Sequence, residues 1–198
     1  MSSAKVVPIH RGEHRGRDVT DEALVAACSV GDADALGALY DRHHAQVFRF
    51  VARLTRATDE DVDDLVQETF ITAARVARHF EGRSSVRTWL LGVAANVARR
   101  ASRTRARRRA LADAAASVEP ALRADPEETV RSREFVAAVA NAIADLSHPL
   151  AVVFVLCDLE EVSGAEAAHA LGIPEGTVWR RRHEARKALR NALRGFDD

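Results

Sequence analysis

Apolar residues recur along most of this chain at every third or fourth position, which is the spacing of one face of an α-helix. The pattern predicts a short helix over Asp21–Ser29, a helix whose apolar face runs from Leu36 to Leu54, and a helix over about Asp59–Phe80. A fourth helix begins near Val86 and continues into a run of arginines. No strand-like alternation stands out, so we predict an all-α protein.

The helical pattern weakens between Ala110 and Pro126, where alanine, acidic residues and two prolines are typical of a linker. It resumes with the apolar face Phe135–Leu146, and Pro149 suits the first turn of the next helix. We therefore predict two small helical domains joined by a flexible linker. The predicted division is a flexible tail over 1–18, a first domain over 19–109, the linker over 110–126 and a second domain over 127–198.

The second domain contains the pattern of a helix-turn-helix. Ser163 and Glu166 have the spacing of a capping box, which marks the start of a helix. Gly172 is predicted to end that helix, and Thr177 and Val178 open the next one. A unit of this kind places its second helix in the major groove of DNA.

The net charge of zero hides two strongly basic segments. Arg83–Arg109 carries nine arginines and no acid, while Arg180–Arg194 carries six arginines and one lysine against one glutamate. Charge runs are often solvated helix faces, but two runs with almost no compensating acids favour contact with a polyanion. The distribution predicts a protein that binds DNA at two places.

The sequence shows no constellation of an enzyme's active site, such as a Gly-rich phosphate loop, a nucleophile motif or a metal cluster. His10 and His14 lack a partner carboxylate motif. The adjacent His43 and His44 would point in different directions from a helix. We expect no enzymatic activity, no metal and no cofactor.

Cys28 and Cys157 each lie among apolar residues, which predicts small core side chains in a reducing compartment. The N-terminus lacks the apolar core of a signal peptide, and no apolar run approaches the length of a membrane span. We expect a cytoplasmic protein without direct membrane insertion.

The predicted third helix opens with an acidic segment, Thr58–Glu68. Thr58 can cap the helix, and acids in a first turn complement the helix dipole. This does not explain Asp64, Gln67 and Glu68, which continue the polar face for two more turns. A helix terminus alone and a docking surface for a basic protein are both open interpretations.

The segment Arg83–Arg100 combines a short polar loop with Thr88, Asn96 and several arginines. Such a loop can neutralise phosphates and hydrogen-bond an unstacked base. For Trp89 the spacing favours packing in the core, and the later arginines also suit the negative end of a helix dipole.

The start of the last helix is expected to face base edges in the major groove, where Arg suits guanine and Glu accepts from cytosine. The candidates for base contacts are Glu175, Thr177, Trp179, Arg180, Arg181 and His183. Arg186, Lys187 and Arg190 lie further along and favour phosphate contacts.

Taken together, five motifs of the chain match one protein family in order and spacing. The motifs are Ala38–Arg42, Asp63–Phe70, Phe80–Leu90, Ala95–Asn96 and Leu171–Val178. The chain resembles the extracytoplasmic function (ECF) group of bacterial sigma-70 family RNA polymerase sigma factors over about 21–193, nearly its whole length. The resemblance implies sigma domain 2, a linker and sigma domain 4 with its helix-turn-helix.

The resemblance also implies three sets of site residues. Those implied to bind core RNA polymerase are Asp61, Asp64, Leu65, Gln67 and Glu68. Those implied to read and open the −10 promoter element are Arg83, Ser84, Ser85, Arg87, Thr88, Asn96, Arg99 and Arg100. Those implied to read the −35 element are Glu175, Thr177, Trp179, Arg180, Arg181, His183, Arg186 and Lys187.

The implied partners are core RNA polymerase, promoter DNA and an anti-sigma factor that covers these surfaces. A stand-alone helix-turn-helix regulator is the alternative, and it would use only the C-terminal module. A nuclease with a helical DNA-binding tail is a further alternative, but the sequence lacks a carboxylate or histidine cluster to hold its metal.

Three positions depart from the family pattern. Ala74 replaces a frequent Trp, Val86 replaces a frequent Phe, and Arg182 replaces a Leu on the buried side of the last helix. An unpaired buried Arg would be costly. Either Arg182 extends to the surface, or the helix is rotated and other residues face the bases.

Overall fold

The computed structural model describes residues 19–55, 58–111 and 130–194, so the predicted tail and most of the predicted linker lie outside the described residues. Within these ranges the chain forms eight α-helices and no strand, which confirms the all-α prediction. The helices are α1 (Asp21–Ser29), α2 (Ala33–Leu54), α3 (Asp59–Val76), α4 (Val86–Leu111), α5 (Val130–Asp145), α6 (His148–Phe154), α7 (Gly164–Leu171) and α8 (Glu175–Ala192).

Side-chain caps fix where the first three helices begin. The hydroxyl of Thr20 accepts from the Ala23 N–H before α1, and Asp32 accepts from two backbone N–H groups before α2. Thr58 accepts from the Asp61 N–H before α3, so the predicted cap is confirmed. Each cap satisfies N–H groups that have no partner within the helix.

The predicted end of the third helix needs a correction. The α-helix ends at Val76 rather than at Phe80, and a 3₁₀ turn follows over Ala77–His79. The Ala77 N–H donates to the Ala74 carbonyl near the end of the helix, and the Phe80 N–H donates to the Ala77 carbonyl of the 3₁₀ turn. Periodicity alone cannot separate the two, because a 3₁₀ turn keeps nearly the same face buried.

Helices α1 to α4 form an N-terminal unit around one apolar core. Leu39, Phe50 and Val51 of α2 and Leu90 of α4 are almost completely buried. They pack against the apolar face of α3, where the Phe70 ring meets Tyr40 edge-on, with ring centroids 5.0 Å apart.

Helices α5 to α8 form a C-terminal unit. Pro149 lies in the first turn of α6, and Ser163 with Glu166 forms the predicted capping box before α7. A π-turn over Val155–Leu159 continues α6. Cys157 and, in the other unit, Cys28 are buried free thiols, as predicted for core residues.

The two units pack directly against each other. Helix α4 contacts α7, and α2 contacts α5, α6 and the π-turn. At Gly92 of α4, a Cβ atom would overlap the backbone carbonyl of Ala170 in α7. Glycine therefore permits the backbones of the two units to approach this closely.

We predict that Gly172→Ala lowers the free energy of unfolding by about 1–2 kcal/mol. Gly172 ends α7 with φ 62°, a left-handed conformation that a Cβ atom disfavours. A Cβ there would meet nothing within 4 Å, so the cost comes from the backbone alone. Denaturant unfolding measures the change.

Gly37→Ala is the control, because Gly37 lies inside α2 with open space around its Cα. Alanine there should stabilise the helix by about 0.5–1 kcal/mol. Equal effects of the two substitutions would contradict the assigned role of Gly172.

Candidate nucleic-acid and protein interface

Helix α3 presents an exposed polar face. Asp64, Gln67 and Glu68 are exposed and lie on one side of the helix, because their spacing is three and four residues. Ile71 continues the series with 43% of its surface exposed. Sequence reasoning missed Ile71, although it lies outside the apolar stripe of this helix and could have been assigned to the polar side.

Two other predicted residues of this helix are less accessible. Asp61 and Leu65 are half-buried, and Leu65 packs against the core. Glu68 accepts a hydrogen bond from the Thr72 hydroxyl at 3.2 Å, which orients its carboxylate along the helix. The face thus carries two acidic side chains and one amide, followed by the exposed apolar side chain of Ile71, and its negative charge suits a basic protein surface.

The loop before α4 uses several predicted residues for its own structure. The Ser85 hydroxyl accepts from the Thr88 N–H at 3.1 Å and donates to the Thr88 hydroxyl at 2.9 Å, so the pair caps α4. Thr88 is only 2% exposed, whereas Arg83 is exposed and pairs with Glu81 at 2.6 Å. Ser84 is half-buried, and its hydroxyl donates to the Ser85 carbonyl.

The interior side of this loop is apolar. Val86 is buried, and the ring of Trp89 lies 5.2 Å from that of Phe80. The prediction that Trp89 packs in the core is confirmed.

Further along α4, a polar patch faces solvent. Asn96, Arg99 and Arg100 are exposed. The Asn96 amide donates to the Gly92 carbonyl at 3.2 Å and accepts from the Arg99 guanidinium at 3.1 Å. Asn96 is therefore held in one orientation beside positive charge, a suitable arrangement for a base next to a phosphate.

Helix α8 presents its basic face to solvent. Arg180, His183 and Lys187 are exposed, while Thr177 and Arg181 are half-buried. Arg180 has only a distant pairing with Glu184, at 4.0 Å.

The tryptophan of α8 connects the two helices of the helix-turn-helix. The Trp179 indole N–H donates to the Glu175 carboxylate at 3.1 Å, and its ring lies over Gly164 at the start of α7. A Cβ at Gly164 would come within 2.9 Å of that ring. Trp179 is still 49% exposed, so one edge remains available.

Arg182, which replaces a buried Leu of the family pattern, forms an ion pair with Asp158. The guanidinium of Arg182 donates to both carboxylate oxygens of Asp158, at 3.1 and 3.2 Å, and to the Cys157 carbonyl. It also lies over the Trp179 ring, and the hydrogen bonds to Asp158 raise the pKa of Arg182. Arg182 is therefore partly buried but paired, through a partner that sequence spacing could not reveal.

The same carboxylate also binds Arg186, a predicted DNA contact. Arg186 remains half exposed, so Asp158 orients its guanidinium without covering it. Asp158 thus holds two arginines of α8 against the preceding π-turn.

A second carboxylate lies between the two units. Glu160 is 8% exposed and accepts from Gln46 at 2.9 Å, from Arg53 at 2.6 Å and from Arg87 at 2.7 Å. Arg87 was predicted as a DNA contact; Glu160, Arg53 and Gln46 were missed, because their pairing spans about a hundred residues.

The part of the chain that the structure describes also bears on metal sites, histidine contacts and membrane-spanning helices. No group of three or more potential ligands there could hold a metal ion. His43 binds the Asp21 carboxylate at 2.7 Å, and His44 stacks on Tyr40. No helix of the described residues is long and apolar enough to cross a membrane.

We predict that His148 makes the folded arrangement less stable in acid. Its Nε2 contacts the Ala95 carbonyl of the other unit at 3.0 Å. Burial lowers the pKa of His148 below its usual 6.5, and Arg99 and Arg103 add to the effect. The unfolded chain binds the proton more readily than the folded one. The contribution of His148 to the free energy of unfolding should therefore be fully present above pH 6.5 and decrease as the pH falls below that value.

The measurement is the difference between wild type and His148→Gln in unfolding free energy across this pH range. Glutamine retains a donor but does not titrate, so its free energy of unfolding should fall less in acid. Parallel pH profiles would exclude the assigned role of His148.

Comparison with known proteins gives a consistent result. A family model described as Sigma-70 region 2 matches residues 39–108, and one described as Sigma-70, region 4 matches residues 137–189. The chain is 36% identical over 168 residues to the ECF RNA polymerase sigma factor SigC of Mycobacterium tuberculosis, covering 84% of this chain and 88% of the relative. It is 33% identical over 183 residues to the ECF RNA polymerase sigma-E factor of Escherichia coli, covering 88% and 95%.

Two solved structures share the fold. The sigma factor RpoE of Bartonella quintana, in complex with the anti-sigma factor NepR, has a TM-score of 0.64 at 22% identity and covers 76% of this chain and 91% of its own. CnrH, in complex with the cytosolic domain of CnrY, has a TM-score of 0.60 at 28% identity and covers 90% and 99%. The chain therefore belongs to the ECF group of sigma-70 family RNA polymerase sigma factors.

Proposed function

We propose that the chain is a promoter-specificity subunit that binds core RNA polymerase and directs transcription initiation at a limited set of promoters. The observation that carries this proposal is the exposed face of α3, formed by Asp64, Gln67, Glu68 and Ile71, on a chain that also has two basic faces. A stand-alone regulator would need only α7 and α8.

In this proposal, residues 19–109 act as sigma domain 2 and residues 127–198 as sigma domain 4. The polymerase contacts are Asp61, Asp64, Leu65, Gln67 and Glu68, with Ile71 added as an apolar contact. Protein interfaces commonly combine polar side chains with exposed apolar ones, and Ile71 beside Glu68 is such a combination.

The −10 element is assigned to the loop before α4 and to the exposed patch of Asn96, Arg99 and Arg100. Thr88 and Ser85 support this region by capping the helix, which orients the loop that carries Arg83. Their hydroxyls would reach DNA only after the cap rearranges.

The −35 element is assigned to the exposed face of α8. Arg180, His183 and Glu175 lie on the N-terminal half of the helix, where side chains reach base edges. Lys187 and Arg186 lie further along and suit phosphate contacts.

An anti-sigma protein is a further proposed partner. The sigma factor RpoE was solved in complex with the anti-sigma factor NepR, and CnrH in complex with the cytosolic domain of CnrY. In this proposal the polymerase supplies the catalysis of transcription, and the chain itself is not an enzyme. Its proposed place of action is the cytoplasm.

Transcription in vitro tests the function. Sigma-free bacterial core polymerase is combined with this protein and a template that carries the DNA upstream of its own gene. A defined transcript that depends on the protein is expected. DNA binding without any association with core polymerase would favour the stand-alone regulator.

We predict that Asp64→Lys combined with Glu68→Lys weakens binding to core polymerase, because both charges would then oppose a basic partner surface. Exposed pairs contribute about 0.2–1 kcal/mol each, and reversal adds repulsion of a similar size. A pull-down with core polymerase measures the loss.

The matched control is Glu22→Lys combined with Asp41→Lys, which makes the same change of charge at exposed positions of α1 and α2. The control should bind core polymerase like wild type. Equal loss in both variants would remove the α3 face from the proposal.

We predict that Arg180→Ala costs roughly 1–3 kcal/mol of binding at a −35 element, and relaxes the preference at one base pair. Lys187→Ala should instead weaken binding on every sequence and lower the salt dependence by about one counterion. Fluorescence titration of duplexes with single base changes separates these patterns. A uniform loss for Arg180→Ala would make it a phosphate contact.

A further inference from the structure

The contact between the two units has an unusual charge arrangement at its centre. The buried carboxylate of Glu160 belongs to the C-terminal unit, and all three of its side-chain donors belong to the N-terminal unit. Arg53 donates to one carboxylate oxygen, while Arg87 and Gln46 donate to the other. We call Gln46, Arg53 and Arg87 the arginine cradle.

Glu160 lies beside an unusual backbone conformation. The residue follows the π-turn Val155–Leu159 and precedes Glu161, whose φ of 55° is the one left-handed angle among non-glycine residues of the described ranges. Such angles cost free energy and persist where the surroundings require them. Glu161 is itself exposed, so it is a suitable position for a control substitution beside Glu160.

Two further contacts hold the same arrangement. At Gly92 the backbones of α4 and α7 meet without room for a Cβ atom. Nearby, the ring of His148 bonds the Ala95 carbonyl. The units therefore meet at a fitted surface whose central polar contact is the cradle.

The cradle has the chemistry of a phosphate site. Two guanidinium groups within 2.7 Å of one carboxylate can surround one oxyanion of similar size. Guanidinium groups bind carboxylate and phosphate with the same planar geometry. Arg87 lies in the segment assigned to the −10 element. Its ion pair with Glu160 therefore engages a guanidinium group that would otherwise be available to a DNA phosphate.

We propose that Glu160 is an internal competitor of promoter DNA: it holds the free protein closed by filling the arginine cradle, which binds a DNA phosphate when the units separate. The inference rests on the proposed function for the identity of the DNA. It adds Arg53 and Gln46 to the DNA-binding surface and assigns Glu160 a regulatory role.

Small-angle scattering of the full chain, without DNA or polymerase, tests closure. Glu160→Arg should raise the radius of gyration by repelling the cradle, and adding Arg87→Glu should restore the compact form by exchanging the charges. Glu161→Arg makes the same change of charge at the exposed neighbouring position, so it is the matched control and should stay compact. Equal radii for wild type and Glu160→Arg would overturn the proposal.

Competition is tested by measuring the affinity of wild type and of Glu160→Gln, with Glu161→Gln as the control, for a labelled forked oligonucleotide of arbitrary sequence, because phosphate binding does not depend on sequence. Glu160→Gln should bind about 5–150-fold more tightly than wild type, the usual range of coupling between sites. An open variant with unchanged affinity would overturn the competition.

Gly92→Ala provides a second way to open the protein without altering charge. Alanine favours the helix itself, so circular dichroism should show retained folding while the radius increases. A folded Gly92→Ala variant that stays compact would contradict the closed contact. The radius of gyration and the oligonucleotide affinity are both measured without polymerase. If the variants open as expected but the protein supports no transcription, only the proposed function is rejected, and the inference about Glu160 stands.

Discussion

The burial of α4 on nearly all sides is the constraint on which the rest of the structure depends. Leu90 and Ala94 on one side of the helix, and Thr88 and Ala95 on the opposite side, are all at most 3% exposed. One side completes the core of the N-terminal unit against α2 and α3, and the other meets α7 of the C-terminal unit. Removing this packing would expose apolar surface on both units, so the helix links the stability of each unit to their mutual arrangement.

This constraint also determines which charges are available to partners. The acidic face of α3 and the basic face of α8 are exposed. Arg87, near the start of α4, is instead turned toward the C-terminal unit and bound by Glu160. If the proposed site assignments hold, a protein partner could bind α3 while Glu160 neutralises one cation of the proposed DNA surface.

The elements with local signals were predictable from the sequence. Caps such as Thr58 and Ser163 bind backbone groups three residues away, and apolar faces repeat within one helix. The helices and the helix-turn-helix could therefore be predicted from the sequence. Contacts that join distant segments had no such signal, and Asp158 and Glu160 were missed for that reason. One clue was available: Leu91, Ala95 and Ala98 extend the apolar side of α4 beyond a single stripe, and a helix that is apolar all round is buried all round.

The proposed opening of the closed sigma factor, when it joins polymerase and promoter, can be measured in solution. The direct measurement is energy transfer between dyes on Asp41→Cys of α2 and Asn191→Cys of α8, both exposed sites, in a chain whose two native cysteines are replaced by alanine. The account predicts one short distance for the free protein and a longer one in the complex with core polymerase and promoter DNA. The same distance in both states would contradict it.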